Sequence, residues 1–121
     1  MPDTLDQLAL ANLLEMVGND PEFVDQLVDE YLADAPRQVA AVRTAFDARD
    51  AAGLVRPAHT LKGTSLGLGG VRVAGVAREI EEHGRAGTLD GVEVLLADLE
   101  VAGADLAEAL ETARARRWGG A

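Results

Sequence analysis

The 121-residue chain has no cysteine, carries a net charge of -10, and is 48% hydrophobic with only 3% aromatic residues. Its length argues for one domain, residues 1–121, large enough to bury a core without staples. The missing cysteines exclude disulfides and thiolate metal sites, and the acidity makes nucleic acid and anionic membranes poor partners. The apolar content is mainly Ala, Leu and Val, which leans towards helices with small, close-packing side chains.

No strand pattern is present, and the chain breakers fall between helical segments. The first segment, about residues 5–17, carries Leu5, Leu8, Leu13 and Val17 and stops at Gly18. Asp20 then reads as an N-cap, with Pro21 at the first helical position and Glu22 beside the positive helix end. The second segment runs to about Arg49. Its stripe is Phe23, Leu27, Tyr31 and Leu32, continued by Val39, Val42 and Phe46. Pro36 removes an amide donor and crowds the preceding turn, so a kink or short break is expected there.

The third segment runs from about Ala51 to Leu68, with Leu54, Ala58, Leu61, Ser65 and Leu68 inward, and Gly69-Gly70 stop it. The fourth, about Arg72 to Ala86, turns Val73, Val76, Ala77 and Ile80 to one face, with Gly87 next. The fifth, about Val92 to Arg117, buries Val92, Leu95, Leu96, Leu99, Leu106 and Leu110 and would be roughly 40 Å long. Arg114, Arg116 and Arg117 suit the negative end of that helix. The tail Gly119-Gly120-Ala121 should fray.

Long helices with short turns pack as an antiparallel bundle. The expected fold is all-α: an antiparallel up-down four-helix bundle, core about residues 20–117, capped at one end by the short first helix. No apolar run reaches the ~20 residues of a membrane span. The start, Met1-Pro2-Asp3-Thr4, lacks a signal-peptide pattern. A soluble, cytoplasmic protein is expected.

The stretch Ala58-His59-Thr60-Leu61-Lys62-Gly63-Thr64-Ser65 is the most informative. His59 follows inward Ala58 by one residue, about 100° around the helix, which puts it on the flank. Lys62 and Gly63, three and four residues on, share its face. A neutral imidazole is a good nucleophile near pH 7. Phosphoryl transfer needs an open in-line approach and positive charge near the phosphoryl oxygens. Lys62 supplies the charge, and Gly63 clears the approach at a cost of about 1 kcal/mol of helix propensity. Taken alone, these spacings leave His59 open as a surface histidine and Lys62 as a solvated lysine. Thr64 and Ser65 have no base beside them and read as surface and packing residues. His83 reads as a solvated residue near a helix end. No repeated Glu-x-x-His pattern supports a metal site.

The histidine with Lys at plus three and Gly at plus four resembles the motif of the histidine-containing phosphotransfer (HPt) family. Ser65, Leu68 and Gly69 fit the same pattern. The likeness extends to Gly18-Asn19-Asp20-Pro21 and to Ala77-Arg78-Glu79-Ile80-Glu81. Gly70 departs from it, and Gly67 and Gly75 add further glycine. The resemblance implies a four-helix bundle with His59 as phospho-acceptor. Its partners would be receiver domains of response regulators and a histidine kinase or hybrid kinase. It also implies that Glu81 accepts a bond from Nδ1 of His59 and orients the ring.

Helical spacing puts Val55, Gly63 and Leu66 on the docking flank, with Lys62 and Arg56 at its edge. No cofactor or metal is expected, since any Mg²⁺ would belong to the receiver. With no P-loop and no room for an ATP-binding domain, the chain should not phosphorylate itself. A monomer is expected, because the chain has enough long helices to close a bundle alone, unlike a histidine kinase dimerisation domain. The start at Met1 and the full helix set suggest a stand-alone protein. The alternatives are a non-catalytic helical adaptor that binds a receiver or kinase without taking phosphate, or a metal or acid–base enzyme. The intact His59, Lys62 and Gly63 argue against the first, and the missing ligand pattern against the second.

Overall fold

The computed structural model of the chain describes residues 4–116; the expectations for Arg117 and the glycine tail lie outside them. Among these residues there are five α-helices and no strand: α1 (Gln7–Met16), α2 (Pro21–Asp47), α3 (Val55–Gly67), α4 (Val71–Ala86) and α5 (Val92–Ala115). A 3₁₀ turn, Ala52–Leu54, leads into α3.

The helix starts follow their caps. The Asp6 carboxylate accepts from the amides of Leu8 and Ala9, and that of Asp20 from Glu22 and Phe23. Each satisfies donors that the first turn leaves without partners. Helix α2 runs unbroken through Pro36, so the short break that the sequence allowed does not occur. Pro36 lies on the exposed side, where the carbonyl that loses its donor can turn to water.

Helices α2 to α5 close a ring in which each packs on the next and α5 returns to α2. Two ion pairs show that α2 and α5 run antiparallel. Asp29, early in α2, meets Arg114, late in α5, at 2.8 Å, and the later Arg43 meets the earlier Glu100 at 2.8 Å. Arg72 likewise ties α4 to Asp105 of α5 at 2.9 Å. Helix α1 lies over the end where α2 begins and α3 stops. There the Asp6 amide donates to the Gly69 carbonyl at 2.7 Å, and Leu5 and Leu10 enter the core. The up-down four-helix bundle with a short N-terminal helix is the architecture found.

The core is built from Leu54, Leu61, Ile80, Leu96, Leu99 and Leu106 with small residues such as Ala58, Ala77 and Ala102 between them. The stripe on α2 is offset from the expected one. Val24 and Val28 are fully buried beside Tyr31 and Val42, whereas Phe23 is 44% exposed and Leu27, Leu32, Val39 and Phe46 are half-buried. Leu95 and Val76 are also at the margin rather than inside.

The Gly69-Gly70 turn explains the departure seen in the sequence. Gly69 has φ +81°, and a Cβ there would stand 2.8 Å from the Asp6 carbonyl oxygen. Gly70 has an ordinary φ, but a Cβ on it would stand 2.5 Å from Leu106 Cδ2. Space, not backbone freedom, requires glycine at 70. Gly67 and Gly75 have no such neighbour.

Candidate functional site

Helix α3 begins with Pro57 in its first turn, where missing amide hydrogens cost least. Ala58 and Leu61 on either side of His59 are buried, at 0% and 1% exposure. They fix the helix rotation that turns His59 outward, and its side chain is 61% exposed.

Glu81 of α4 is the hub beneath the ring. Its side chain is only 5% exposed, yet cationic or donor groups from three residues converge on it. His59 Nδ1 lies 3.1 Å from Oε2, and Arg85 brings Nε and Nη2 to the same oxygen at 3.0 and 2.8 Å. Lys62 Nζ stands 2.8 Å from Oε1, close in distance but poorly aligned for a hydrogen bond.

Lys62 first, then Arg85, and to a smaller degree His59 hold the Glu81 carboxyl down to about pKa 2, against burial that pushes it up. The carboxylate is therefore ionised at neutral pH and can only accept. Nδ1 of His59 must then carry the hydrogen, and in the neutral ring the lone pair falls on Nε2. Nε2 makes no hydrogen bond among the described residues. The arrangement amounts to an exposed nucleophilic nitrogen of fixed tautomer, with two cations within one side-chain length.

His59, Lys62 and Glu81 thus come together. The charge of Lys62, expected to face phosphate, rests against Glu81 here. A Cβ on Gly63 would meet nothing within 4 Å, so packing within the bundle does not demand glycine there. Of the residues expected on the docking flank, Leu66 is 56% exposed and Arg56 is exposed. Val55 is half-buried and faces α4, where its Cγ2 would stand 2.9 Å from a Cβ on Gly84.

Arg85 escaped the reading of the sequence. The signal was its place four residues after Glu81, which puts the two on one helix face. Tyr31 was read only as part of a stripe. Its hydroxyl lies 2.7 Å from Ser65 Oγ in the interior, joining α2 to α3. His83 stands apart, and its Nδ1 donates to the Glu79 carbonyl at 2.7 Å. No group of three metal-ligating side chains occurs among the described residues. Nor is any of their helices long and apolar enough to cross a membrane.

The family model of the Hpt domain matches residues 26–116. Multistep phosphorelay regulator 1 of Schizosaccharomyces pombe (strain 972 / ATCC 24843) is 33% identical over 89 residues, which cover 73% of this chain and 30% of that protein. The chain therefore spans under a third of that relative. The crystal structure of histidine-containing phosphotransfer protein B (HptB) from Pseudomonas aeruginosa PAO1 is similar with a TM-score of 0.84 and 30% identity, covering 96% of this chain and 98% of that one.

Proposed function

This chain belongs to the Hpt domain family, and on that premise we propose that it is a phosphorelay intermediate whose carrier atom is Nε2 of His59. The observation that supports this most is the 3.1 Å contact between His59 Nδ1 and the buried Glu81 carboxylate, which leaves the outward nitrogen with the lone pair.

The transfer is an in-line exchange. Nε2 attacks the phosphorus of an aspartyl phosphate on a receiver domain. The N–P bond forms, the O–P bond breaks, and the receiver aspartate leaves as a carboxylate. No proton is lost: the ring keeps its Nδ1 hydrogen and gains positive charge, which the Glu81 carboxylate beneath it offsets. Lys62, and Arg85 beside it, can swing from Glu81 to the phosphoryl oxygens. The group then passes to the aspartate of another receiver by the reverse step. Glu81 is a positioning residue and not a general base, since the reaction takes no proton from Nε2.

In this reading the whole chain, 1–121, acts as one Hpt domain. It works as a monomer in the cytoplasm, takes phosphate from a histidine kinase or hybrid kinase, and has no ATP-dependent kinase activity of its own. The direct test is phosphorylation with the small donor phosphoramidate, followed by ³¹P NMR. A single phosphohistidine signal of the Nε2 isomer, absent from His59→Ala, supports the assignment. A signal that persists in His59→Ala places the chemistry elsewhere.

A further inference from the structure

His83 is the histidine that the phosphotransfer reading leaves unused. It lies in the last turn of α4, half-buried, and its Nδ1 donates to the Glu79 carbonyl at 2.7 Å. In the neutral ring the lone pair then falls on Nε2. That nitrogen lies beside the turn between α4 and α5, where a Cβ on Gly91 would stand 4.0 Å from it.

The turn holds Asp90-Gly91, the one Asp-Gly pair in the sequence; no asparagine precedes a glycine. Thr88 Oγ1 accepts from the Asp90 amide at 3.1 Å, the Leu89 carbonyl from the Val92 amide at 3.1 Å, and the Gly91 carbonyl from the Leu95 amide at 3.3 Å. The Gly91 amide itself bonds nothing among the described residues. The Asp90 side chain is exposed and has no partner among them either. Gly91 has φ +80° and no side chain, so no Cβ shields its nitrogen from the carboxyl group one residue before. A free carboxyl, a free amide and an imidazole lone pair thus meet at one turn.

We propose that Asp90-Gly91 is a self-modification site that converts to isoaspartate, with His83 Nε2 as the proton acceptor, directly or through one water. The Gly91 nitrogen attacks Cγ of Asp90. The N–C bond forms and a C–O bond breaks. The oxygen leaves as water, carrying the amide hydrogen relayed by His83 and a proton from solvent. Water then adds to the α-carbonyl of the succinimide ring and breaks its bond to nitrogen. The main chain now runs through Cγ, one methylene longer, at the entry to α5, and an α-carboxylate is left free at the surface. That carboxylate is the group an isoaspartyl methyltransferase esterifies.

The test is ageing of the full, folded chain at neutral pH and body temperature. Tryptic fragment 86–114 carries Asp90, Asp98 and Asp105, and the last two, each followed by leucine, are internal controls. Methyltransferase labelling reads isoaspartate, and fragmentation mass spectrometry gives its position. Wild type should gain isoaspartate at 90 and not at 98 or 105, with a minor species one water lighter. Asp90→Glu should gain none. Folded His83→Gln should slow the gain about fivefold or more. A merely loosened turn would speed it instead. In urea, where the fold no longer brings His83 to the turn, wild type and His83→Gln should age at one rate.

No isoaspartate at 90 in folded wild type, or as much at 98 and 105, overturns the proposal. Equal rates for folded wild type and His83→Gln, or a difference that persists in urea, overturn the part given to His83. All these outcomes leave the carrier reading of His59 untouched.

Discussion

Nδ1 of His59 lies 3.1 Å from Oε2 of Glu81, a contact that joins α3 to α4 across 22 residues of sequence. It is the point where fold becomes chemistry, because helix packing brings a buried anion under an exposed ring. If Glu81 acts by holding the tautomer, Glu81→Ala should slow phosphotransfer about tenfold or more, while Glu81→Gln, whose amide oxygen still accepts from Nδ1, should keep most of the rate. Single-turnover transfer rates check this. Equal losses in both variants would assign Glu81 a purely electrostatic part.

The same carboxylate should leave a mark on acid stability. Its folded pKa, about 2, lies below the ordinary glutamate value of 4.5. A depressed carboxylate contributes stability that is fully present above the unfolded pKa and is lost as pH falls through the folded one. Urea unfolding of wild type and Glu81→Gln should therefore differ most above about pH 5, and converge as pH falls to about 2. A gap independent of pH would contradict the ion-pair hub.

Gly63 and Gly70 should respond oppositely to alanine. Nothing surrounds a Cβ at 63, so Gly63→Ala should raise stability by about 0.5–1 kcal/mol through helix propensity, yet slow transfer by crowding the docked partner. At 70 the new methyl group would stand 2.5 Å from Leu106 Cδ2, so Gly70→Ala should cost about 1–3 kcal/mol. Thermal and urea unfolding decide both, together with transfer rates for the first.

Lys62 is about one-third exposed, and Glu81 keeps Arg85 and His59 as partners when Lys62 is removed, so its buried carboxylate is not left unpaired. Lys62→Ala should therefore unfold within about 1 kcal/mol of wild type. Its transfer rate should still fall about tenfold or more, through lost charge at the phosphoryl oxygens. A large stability loss with normal transfer would make Lys62 a structural residue only.

Much of this was legible in the chain. Caps at Asp20 and Pro21, glycine stops and apolar spacing placed the helices to within a few residues, because these signals act locally. The outward turn of His59 followed from its neighbours Ala58 and Leu61. What depended on packing between helices was harder. The inner stripe of α2 is offset towards Val24 and Val28, a rotation set by the helices that α2 packs on, which no local pattern encodes. Unbroken passage through Pro36 turned on which side of α2 meets water. The need for glycine at 70 is set by Leu106, thirty-six residues away. The Glu81 contact followed only from family resemblance, since sequence spacing cannot say which residue of α4 lies beneath the ring. Arg85 was within reach of the helix i, i+4 rule once Glu81 was singled out.

The most direct test of the carrier role is transfer from a phosphorylated receiver domain to wild type and to His59→Ala. The account predicts label on the wild type that survives base, is lost in acid, and is absent from a folded His59→Ala. Label that reaches His59→Ala at the wild-type rate, or a folded wild type that takes none from a broad panel of active receivers, would contradict it.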